Sequence, residues 1–248
     1  MEQKRILTVQ DLSCFGKCSL SESIAILSAL GHEAVALPTA LLSTHTSEFE
    51  GYTFLDLAKE NKKITEHWKS LGIKFDAILI GYLGSMALIE RAKEIIEQFG
   101  DGATVLVDPA MAENGELYRG FDMEYVMEMK KLCELADFIT PNHSEAELLG
   151  EVKNCTVIET GLEYKGKLGI RCGDKMFFKS VIAGQFYGAG DAFSSAFLGI
   201  YMKGYTVEEA MENALEFVWG SVKATENEQE KYWYGTKFEQ NLKFLTNL

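Results

Sequence analysis

Residues 186–193, which read FYGAGDAF, carry the residue types that a phosphoryl-transfer site needs. Gly188 and Gly190 let a ligand approach the backbone closely, and a helix predicted to start there points its positive end and free N–H groups at the same spot. Asp191 lies in the first turn of that helix, where its carboxylate could accept a proton from an attacking hydroxyl. Phosphoryl transfer requires that the reactants be positioned, that the charge on the phosphoryl group be stabilised, and that one weak base accept the proton. Alone, the pattern fits equally well a glycine-rich turn followed by an ordinary first-turn aspartate.

Short apolar runs alternate with helical spacing over the first part of the chain. The runs predict strands at residues 6–9, 34–37, 77–80, 104–107 and 138–140. The helical spacing predicts helices near residues 21–31, 54–71, 89–99, 126–135 and 144–149. We expect a loop from the first strand to about Cys18, and we expect Pro38 to end the second strand. Fully apolar strands separated by helices are typical of a parallel sheet covered on both faces.

The pattern changes after Gly150. The same criteria predict strands at 157–158, 167–171 and 175–178, the last two forming an antiparallel pair, and a long helix over 188–204. Thr206 and Glu209 form a capping box that starts one more helix. We therefore predict an α/β fold with a mainly parallel sheet and antiparallel strands toward one edge.

Composition narrows the function classes. The net charge of −13 argues against nucleic acid or an anionic membrane as the main partner, since either would need a basic face. The apolar runs are strand-sized, so neither a membrane span nor a signal peptide is expected. The five cysteines are odd in number and contain no CxxC pair, which favours reduced thiols in a cytoplasmic protein. A chain of 248 residues with 47% hydrophobic content can bury one large core, so one domain is expected.

Polar side chains follow the predicted strands. In sheets of this kind, ligands bind outside the carboxyl ends of the strands. The residues just past those ends are Asp11, Thr39, Tyr82, Asp108, Asn142 and Thr160. Strand ends are usually polar, so this convergence suggests a site without establishing one.

Six motifs occur in a fixed order along the chain. They are Val9-Gln10 before a loop, STHT at 43–46, GYLGS at 81–85, DPAM at 108–111, ADFITPN with EAELL over 136–149, and GAGD at 188–191. Together they resemble the motifs of pyridoxal kinases in the ribokinase-like superfamily. The resemblance implies a single ribokinase-like kinase domain over residues 1–248. It would have three layers, a mostly parallel central sheet, and antiparallel strands at one edge.

The resemblance also implies a role for individual residues. Asp191 would be the catalytic base, and the anion hole would consist of Gly188, Ala189 and Gly190. Asp108 and Glu145 would hold Mg²⁺ directly or through water, a kind of ligation that suits this ion. The residues implied to contact ATP and its phosphates are Asp108, Thr140, Asn142, Glu145 and Thr160. Those implied to bind the substrate are Asp11, His45, Thr46, Tyr82 and Asp191.

Several of these residues also have structural interpretations. Asp108 and Asn142 each adjoin a proline and could be turn residues. Glu145 could interact with the helix dipole as a first-turn residue. His45 could be a loop histidine bonded to backbone, and Tyr82 could lie in the core or at its rim. Three other histidines are predicted to lie at the surface: His32, His67 and His143.

The chain departs from the family pattern in three places. Asp11 replaces a common serine, which would favour a cationic amine such as that of pyridoxamine. Ala112 stands where a glycine usually follows the DPVM motif. About half a dozen residues separate Gly150 from the strand at 157–158, where the family usually has a further helix. We therefore expect a shortened nucleotide-side region around 150–180, with altered adenine contacts.

The resemblance favours transfer of the ATP γ-phosphoryl group to the 5′-hydroxymethyl group of a B6 vitamer: pyridoxal, pyridoxine or pyridoxamine. It implies ATP, Mg²⁺ and a monovalent cation as cofactors and a homodimer as the assembly. Two alternatives stay open at this stage. One is a hydroxymethylpyrimidine kinase of the same superfamily, whose usual GGAG-type loop is absent near Gly16. The other is a vitamin-binding protein with weakened catalysis, which would have no need of Asp191.

Overall fold

The computed structural model describes residues 2–248 and confirms the predicted α/β class. Its strands are β1 (Arg5–Phe15), β2 (Glu33–Thr44), β3 (Phe54–Asp56), β4 (Ala77–Ile80), β5 (Thr104–Val107), β6 (Ala112–Glu113), β7 (Glu116–Leu117), β8 (Phe138–Ile139), β9 (Thr156–Val157), β10 (Glu159–Tyr164), β11 (Lys167–Cys172) and β12 (Lys175–Ser180). Its helices are α1 (Ser19–Ala29), α2 (Ala58–Ser70), α3 (Met86–Phe99), α4 (Met123–Cys133), α5 (His143–Leu149), α6 (Ala189–Met202), α7 (Val207–Thr225) and α8 (Leu242–Thr246). Two 3-10 helices, Glu226–Glu228 and Phe238–Asn241, lie between α7 and α8.

A seven-stranded sheet in the order β3-β2-β1-β4-β5-β8-β9 forms the centre of the molecule. Its strands run parallel except β3, which pairs antiparallel with β2 at one edge. β10, β11 and β12 form a separate antiparallel sheet, as predicted for the last two of these strands. The capping box that starts α7 at Thr206 is also confirmed.

Two apolar cores lie on opposite faces of the central sheet, because successive side chains of a strand point to opposite sides. In β4, Ile78 and Ile80 belong to the core beneath α3 and α4, whereas Leu79 belongs to the core beneath α1, α6 and α7. Helices therefore cover both faces and complete three layers. Since both cores are built on one sheet, we propose that the chain is a single domain.

Two predicted boundaries are wrong. β2 continues through Pro38 to Thr44. Its outer edge pairs with β3 only from Ala40 onward, so at Pro38 that edge is free. A proline, which has no N–H to donate, is tolerated where its nitrogen faces such a free edge. Residues 54–56 form β3 instead of the start of a helix. There Asp56 accepts a hydrogen bond from the N–H of Ala58 (2.7 Å) and so starts α2 at Ala58.

The expected loop between residue 9 and Cys18 is largely strand. β1 runs to Phe15 beside β2, whereas its pairing with β4 ends at Val9. Asp11 therefore lies beyond the level at which β4 ends. His32, predicted at the surface, is buried and bonds the carbonyl of Gly199 through Nε2 (2.8 Å), while His67 and His143 are exposed as predicted.

The helix α5 is itself the crossover between the parallel strands β8 and β9. The stretch after Gly150 is short because it is only the loop that joins α5 to β9. The sequence analysis treated this stretch as the whole crossover, whereas the crossover includes α5 and the β–α–β unit is complete. Beyond β9 the chain enters the small sheet β10–β12. Trp219 on α7 donates a hydrogen bond from Nε1 to the carbonyl of Ser180 (3.1 Å), and this bond joins the small sheet to α7. This small sheet is the part of the chain that borders the predicted nucleotide side.

Candidate active site

The start of α6 forms the centre of the site. Gly188 is the N-cap residue and has a φ of +82°, a left-handed conformation that favours glycine. A Cβ at this position would lie 2.3 Å from the carbonyl oxygen of Lys17, so the close approach of the two segments also requires glycine. A Cβ on Gly190 would have no heavy atom within 4 Å. Gly190 therefore faces open space in front of the first-turn N–H groups of α6, as an anion-binding site requires.

Asp191 lies in that first turn, beside two other acids. Burial raises the pKa of Asp191 to about 8, and the charges of Asp108 and Asp11 act in the same direction. The backbone N–H of Ser19 opposes this shift by hydrogen bonding to the carboxylate. Ser19 itself has a φ of +50°, a strained conformation for a residue with a side chain. A carboxylate with a pKa near neutrality suits a general base.

A chain of hydroxyl groups connects Asp108 to the neighbouring strand end. The Ser194 hydroxyl on α6 donates to the Asp108 carboxylate (2.7 Å) and lies 2.9 Å from the Thr140 hydroxyl. Burial and the charge of Glu145 raise the pKa of Asp108. The ends of β5 and β8 and the first turns of α6 are therefore joined by one buried polar chain.

Glu145 and Asn142 form a capping box at the start of α5. The Asn142 side chain also donates to the carbonyl of Ala112 (2.8 Å), and Glu145 accepts the N–H of Met111 (2.9 Å). Both residues thus hold the segment that follows Asp108, and any contact of Asn142 with phosphate stays a prediction. Burial raises the pKa of Glu145 despite these bonds.

Asp108 and Glu145 fit a magnesium ion that is shared with phosphate. Both carboxylates are buried, the charge of Glu145 raises the pKa of Asp108, and none of the salt bridges among residues 2–248 involves either of them. No group of three or more His, Cys, Asp or Glu side chains within that range could hold a metal ion. Mg²⁺ commonly binds through one or two carboxylates, with water and phosphate oxygens as its other ligands.

Three of the predicted substrate residues lie close together near Asp191. Asp11 is buried and accepts a hydrogen bond from the Ser13 hydroxyl (3.0 Å). Burial raises the pKa of Tyr82 to about 12, and the nearby charge of Asp11 adds to the effect. Burial lowers the pKa of His45, whereas Asp11 acts in the opposite direction. Asp11 therefore lies close to both His45 and Tyr82.

Two predicted residues lie apart from this group. Thr46 follows His45 on an exposed loop. Thr160 is half-buried, where its hydroxyl contacts the carbonyl of Pro141 at 3.4 Å and its backbone bridges to Asn142. Their predicted contacts with vitamer and phosphate stay predictions.

Sequence reasoning missed three residues of the site: Ser19, Ser194 and Glu22. Glu22 on α1 is fully buried, and neither carboxylate oxygen has a hydrogen-bond partner. A Cβ on Gly188 would lie 2.6 Å from Glu22 Oε2, so this carboxyl group borders the anion-binding turn. Burial and the charge of Asp191 raise the pKa of Glu22 well above its ordinary value. Its one sequence signal is an acid on the apolar side of α1, between Ser19 and Ile26.

Comparison with known proteins identifies the family. The sequence model of the phosphomethylpyrimidine kinase family matches residues 22–168, more than half of the chain. A crystal structure of a provisionally named phosphomethylpyrimidine kinase from Bacteroides thetaiotaomicron is 33% identical, with a TM-score of 0.91 over 98% of this chain and 93% of that one. A second crystal form of that protein, with pyridoxal, gives 32% identity and a TM-score of 0.89 over 98% and 96% of the two chains.

Relatives named as pyridoxal kinases match along most of the chain. The structure of pyridoxal kinase from Lactobacillus plantarum is 28% identical, with a TM-score of 0.92 over 99% of this chain and 98% of that one. A provisionally named pyridoxal kinase from Schizosaccharomyces pombe is 26% identical over 77% of this chain and 72% of its own length. The chain therefore belongs to the phosphomethylpyrimidine kinase family, and its resemblance to the pyridoxal kinases of the ribokinase-like superfamily is confirmed.

Proposed function

We propose that this chain is a kinase that transfers the γ-phosphoryl group of ATP to the 5′-hydroxymethyl group of a B6 vitamer. The observation that carries the proposal is the position of Asp191, a carboxylate with a pKa near neutrality at the N-terminus of α6. It lies between the acids of the predicted phosphate side and the predicted vitamer residues. The pyridoxal in the related Bacteroides thetaiotaomicron structure supports the choice of substrate.

Each part of the site has a task in this reaction. Asp191 accepts the proton of the substrate hydroxyl as the oxygen attacks the phosphorus. The first-turn N–H groups of α6 stabilise the charge on the phosphoryl oxygens, in the space that Gly190 leaves open. Asp11, His45, Thr46 and Tyr82 position the vitamer. Bound Mg²⁺ would be held by Asp108 and Glu145 and would neutralise phosphate charge.

Further parts of the proposal concern the nucleotide side. The ATP phosphates would be contacted by Thr140, Asn142 and Thr160. A monovalent cation would also contact these phosphates. We propose that the region around 150–180 recognises adenine less selectively than longer relatives do, because no helix follows α5 before β9. The small sheet β10–β12 would then provide the adenine contacts.

We also propose a cytoplasmic homodimer that acts on small molecules. The structure describes five free cysteines, which fits a reducing compartment. Among residues 2–248, no helix has the length and apolar character that crossing a bilayer would take. Exposed apolar side chains on the β2–β3 edge, such as Leu41, Phe54 and Leu55, support association with a second copy.

Assays with purified protein, ATP and Mg²⁺ test the substrate. We expect phosphorylation of at least one B6 vitamer, with pyridoxamine performing comparatively well because the buried acid Asp11 favours a cationic amine. The variant Asp11→Ser should shift the preference, measured as kcat/KM, toward pyridoxal. Turnover of hydroxymethylpyrimidine with no vitamer would instead favour the hydroxymethylpyrimidine kinase alternative. Binding of vitamers with no turnover of any acceptor would favour a vitamin-binding protein.

The variant Gly190→Ala tests the anion-binding turn. We expect turnover to fall, because the methyl group would occupy the space into which the phosphoryl group must fit. Stability should rise by about 0.5–1 kcal/mol, since alanine replaces glycine within a helix without a clash. Thermal unfolding and steady-state kinetics on the same sample measure both effects. A variant as active as the wild type would show that the phosphoryl group does not bind at this turn.

A further inference from the structure

The loop of residues 226–236, here called the aromatic loop, contains the first 3-10 helix and leads to the second. Its two ends meet, because the N–H of Lys237 donates to the Thr225 hydroxyl (2.8 Å). The Gln229 side chain donates to the carbonyl of Ala183 (2.7 Å), in the segment that leads to the start of α6. Its tip reads Tyr232-Trp233-Tyr234 and extends toward the residues that precede α1.

The tip is joined to the predicted vitamer residues by backbone contacts. The carbonyl of Tyr234 accepts hydrogen bonds from the N–H of Lys17 (3.2 Å) and from Nε2 of His45 (3.1 Å). A Cβ on Gly235 would lie 2.4 Å from Cβ of Lys17, so a glycine lets the two segments approach this closely. Because a carbonyl only accepts, this contact places a proton on Nε2 of His45.

Aromatic rings extend the contact on both sides of His45. Phe49 packs in a tilted arrangement against Trp233, with ring centroids 4.5 Å apart, and edge-to-face against His45, at 4.8 Å. Phe15 packs on Tyr234 at 4.7 Å. On its other side His45 lies 5.4 Å from Tyr187, the residue just before the anion-binding turn. One continuous group of rings thus connects the aromatic loop to Tyr187, beside the anion-binding turn.

We propose that the aromatic loop is the outer wall of the acceptor site, and that Trp233 and Tyr234 set the affinity for the acceptor by holding Phe49 and His45 in place. This inference rests on the proposed function, because it takes the space beside His45 as the vitamer site. Trp233 acts through Phe49 and is a positioning residue, so its loss affects acceptor binding and leaves the chemical step and the ATP side intact.

The variant Trp233→Ala tests the wall. Trp233 is 40% exposed, so its removal leaves no cavity in the core. We expect the KM for the vitamer to rise by about three- to tenfold, as expected for one lost aromatic contact, with kcat and the KM for ATP nearly unchanged. Trp233→Phe should restore most of the affinity. The control Leu135→Ala removes an apolar side chain that is 50% exposed just after α4 and should leave all three constants unchanged.

A binding measurement separates this inference from the proposed function. The chain has three tryptophans, so the double variant Trp68→Phe/Trp219→Phe leaves Trp233 as the one tryptophan, which can be excited without exciting the tyrosines. We expect pyridoxine, added without ATP, to change the fluorescence of Trp233. A wild type that phosphorylates no vitamer would overturn the proposed function. The wild type could instead be active while Trp233→Ala leaves the vitamer KM unchanged and pyridoxine leaves the Trp233 emission unchanged. That result would contradict the role of the aromatic loop as the outer wall and would leave the proposed function standing.

Discussion

Asp191→Asn should reduce kcat by about 10²–10⁴-fold, the usual contribution of a general base. The amide keeps the size and shape of the carboxyl group but cannot accept the proton of the attacking hydroxyl. Vitamer binding should change little, so the loss should appear in kcat with a nearly unchanged KM. Because the pKa of Asp191 is about 8, its carboxyl is mostly protonated at neutral pH in the free enzyme, and the neutral amide should not reduce stability.

The pH dependence of the wild type gives an independent check on Asp191. A base with a pKa of about 8 in the free enzyme predicts that kcat/KM rises with pH up to about pH 8. Bound Mg²⁺ would favour the ionised carboxylate, so the corresponding rise in kcat should occur at lower pH. A folded Asp191→Asn protein with a near wild-type kcat would remove Asp191 from the mechanism. Asp11 would then be the next candidate base.

Glu22→Gln should stabilise the protein at neutral and alkaline pH. The folded chain raises the pKa of Glu22 well above its ordinary value of 4.5, so folding takes up a proton at any pH between the two values. The free energy of unfolding therefore falls as pH rises above about 4.5, with a slope of about 1.4 kcal/mol per pH unit from this one group. A neutral amide removes that slope. The variant and the wild type should be about equally stable near pH 4.5 and should diverge as pH increases.

Urea unfolding at several pH values measures this effect. Lys17, Cys18, Asp191 and Glu239 are the charged or titratable groups that face Glu22, and none of them is altered by the substitution. Glu66→Gln, an exposed change on α2, is the matched control and should leave the pH dependence of unfolding as in the wild type. Parallel stability curves for Glu22→Gln and the wild type would mean that Glu22 is ionised in the folded protein.

Local signals in the sequence predicted most of the elements and the centre of the site. The strands at 77–80 and 104–107, the capping box at Thr206 and the GAGD turn depend on residues that are close in the chain. Pro38 was misjudged because its tolerance in β2 depends on where β3 ends. A proline signal in the sequence carries no information about a neighbouring strand.

The missed residues have a common physical cause. Ser19 and Glu22 belong to the site because α1 packs against α6, a contact between segments about 170 residues apart, as in the 172-residue separation of the Ser23–Ser195 hydrogen bond. Ser194 belongs to it because α6 packs on the ends of β5 and β8, where its partners Asp108 and Thr140 are 86 and 54 residues away in the chain. Serine and glutamate occur on many helices for ordinary reasons, so nothing in their spacing marks these three. The family resemblance alone supplied His45, whereas Asp11 and Tyr82 were also indicated by their positions just past predicted strands.

The placement of α6 and α7 after residue 188 affects the protein while it is being synthesised. Until these helices have left the ribosome, one face of the growing sheet, with Ile6, Leu79 and Leu106, lacks much of its cover. Contacts between such distant segments form slowly, and an uncovered apolar sheet is prone to aggregation. The nascent chain should therefore be a substrate for chaperones until its last quarter emerges.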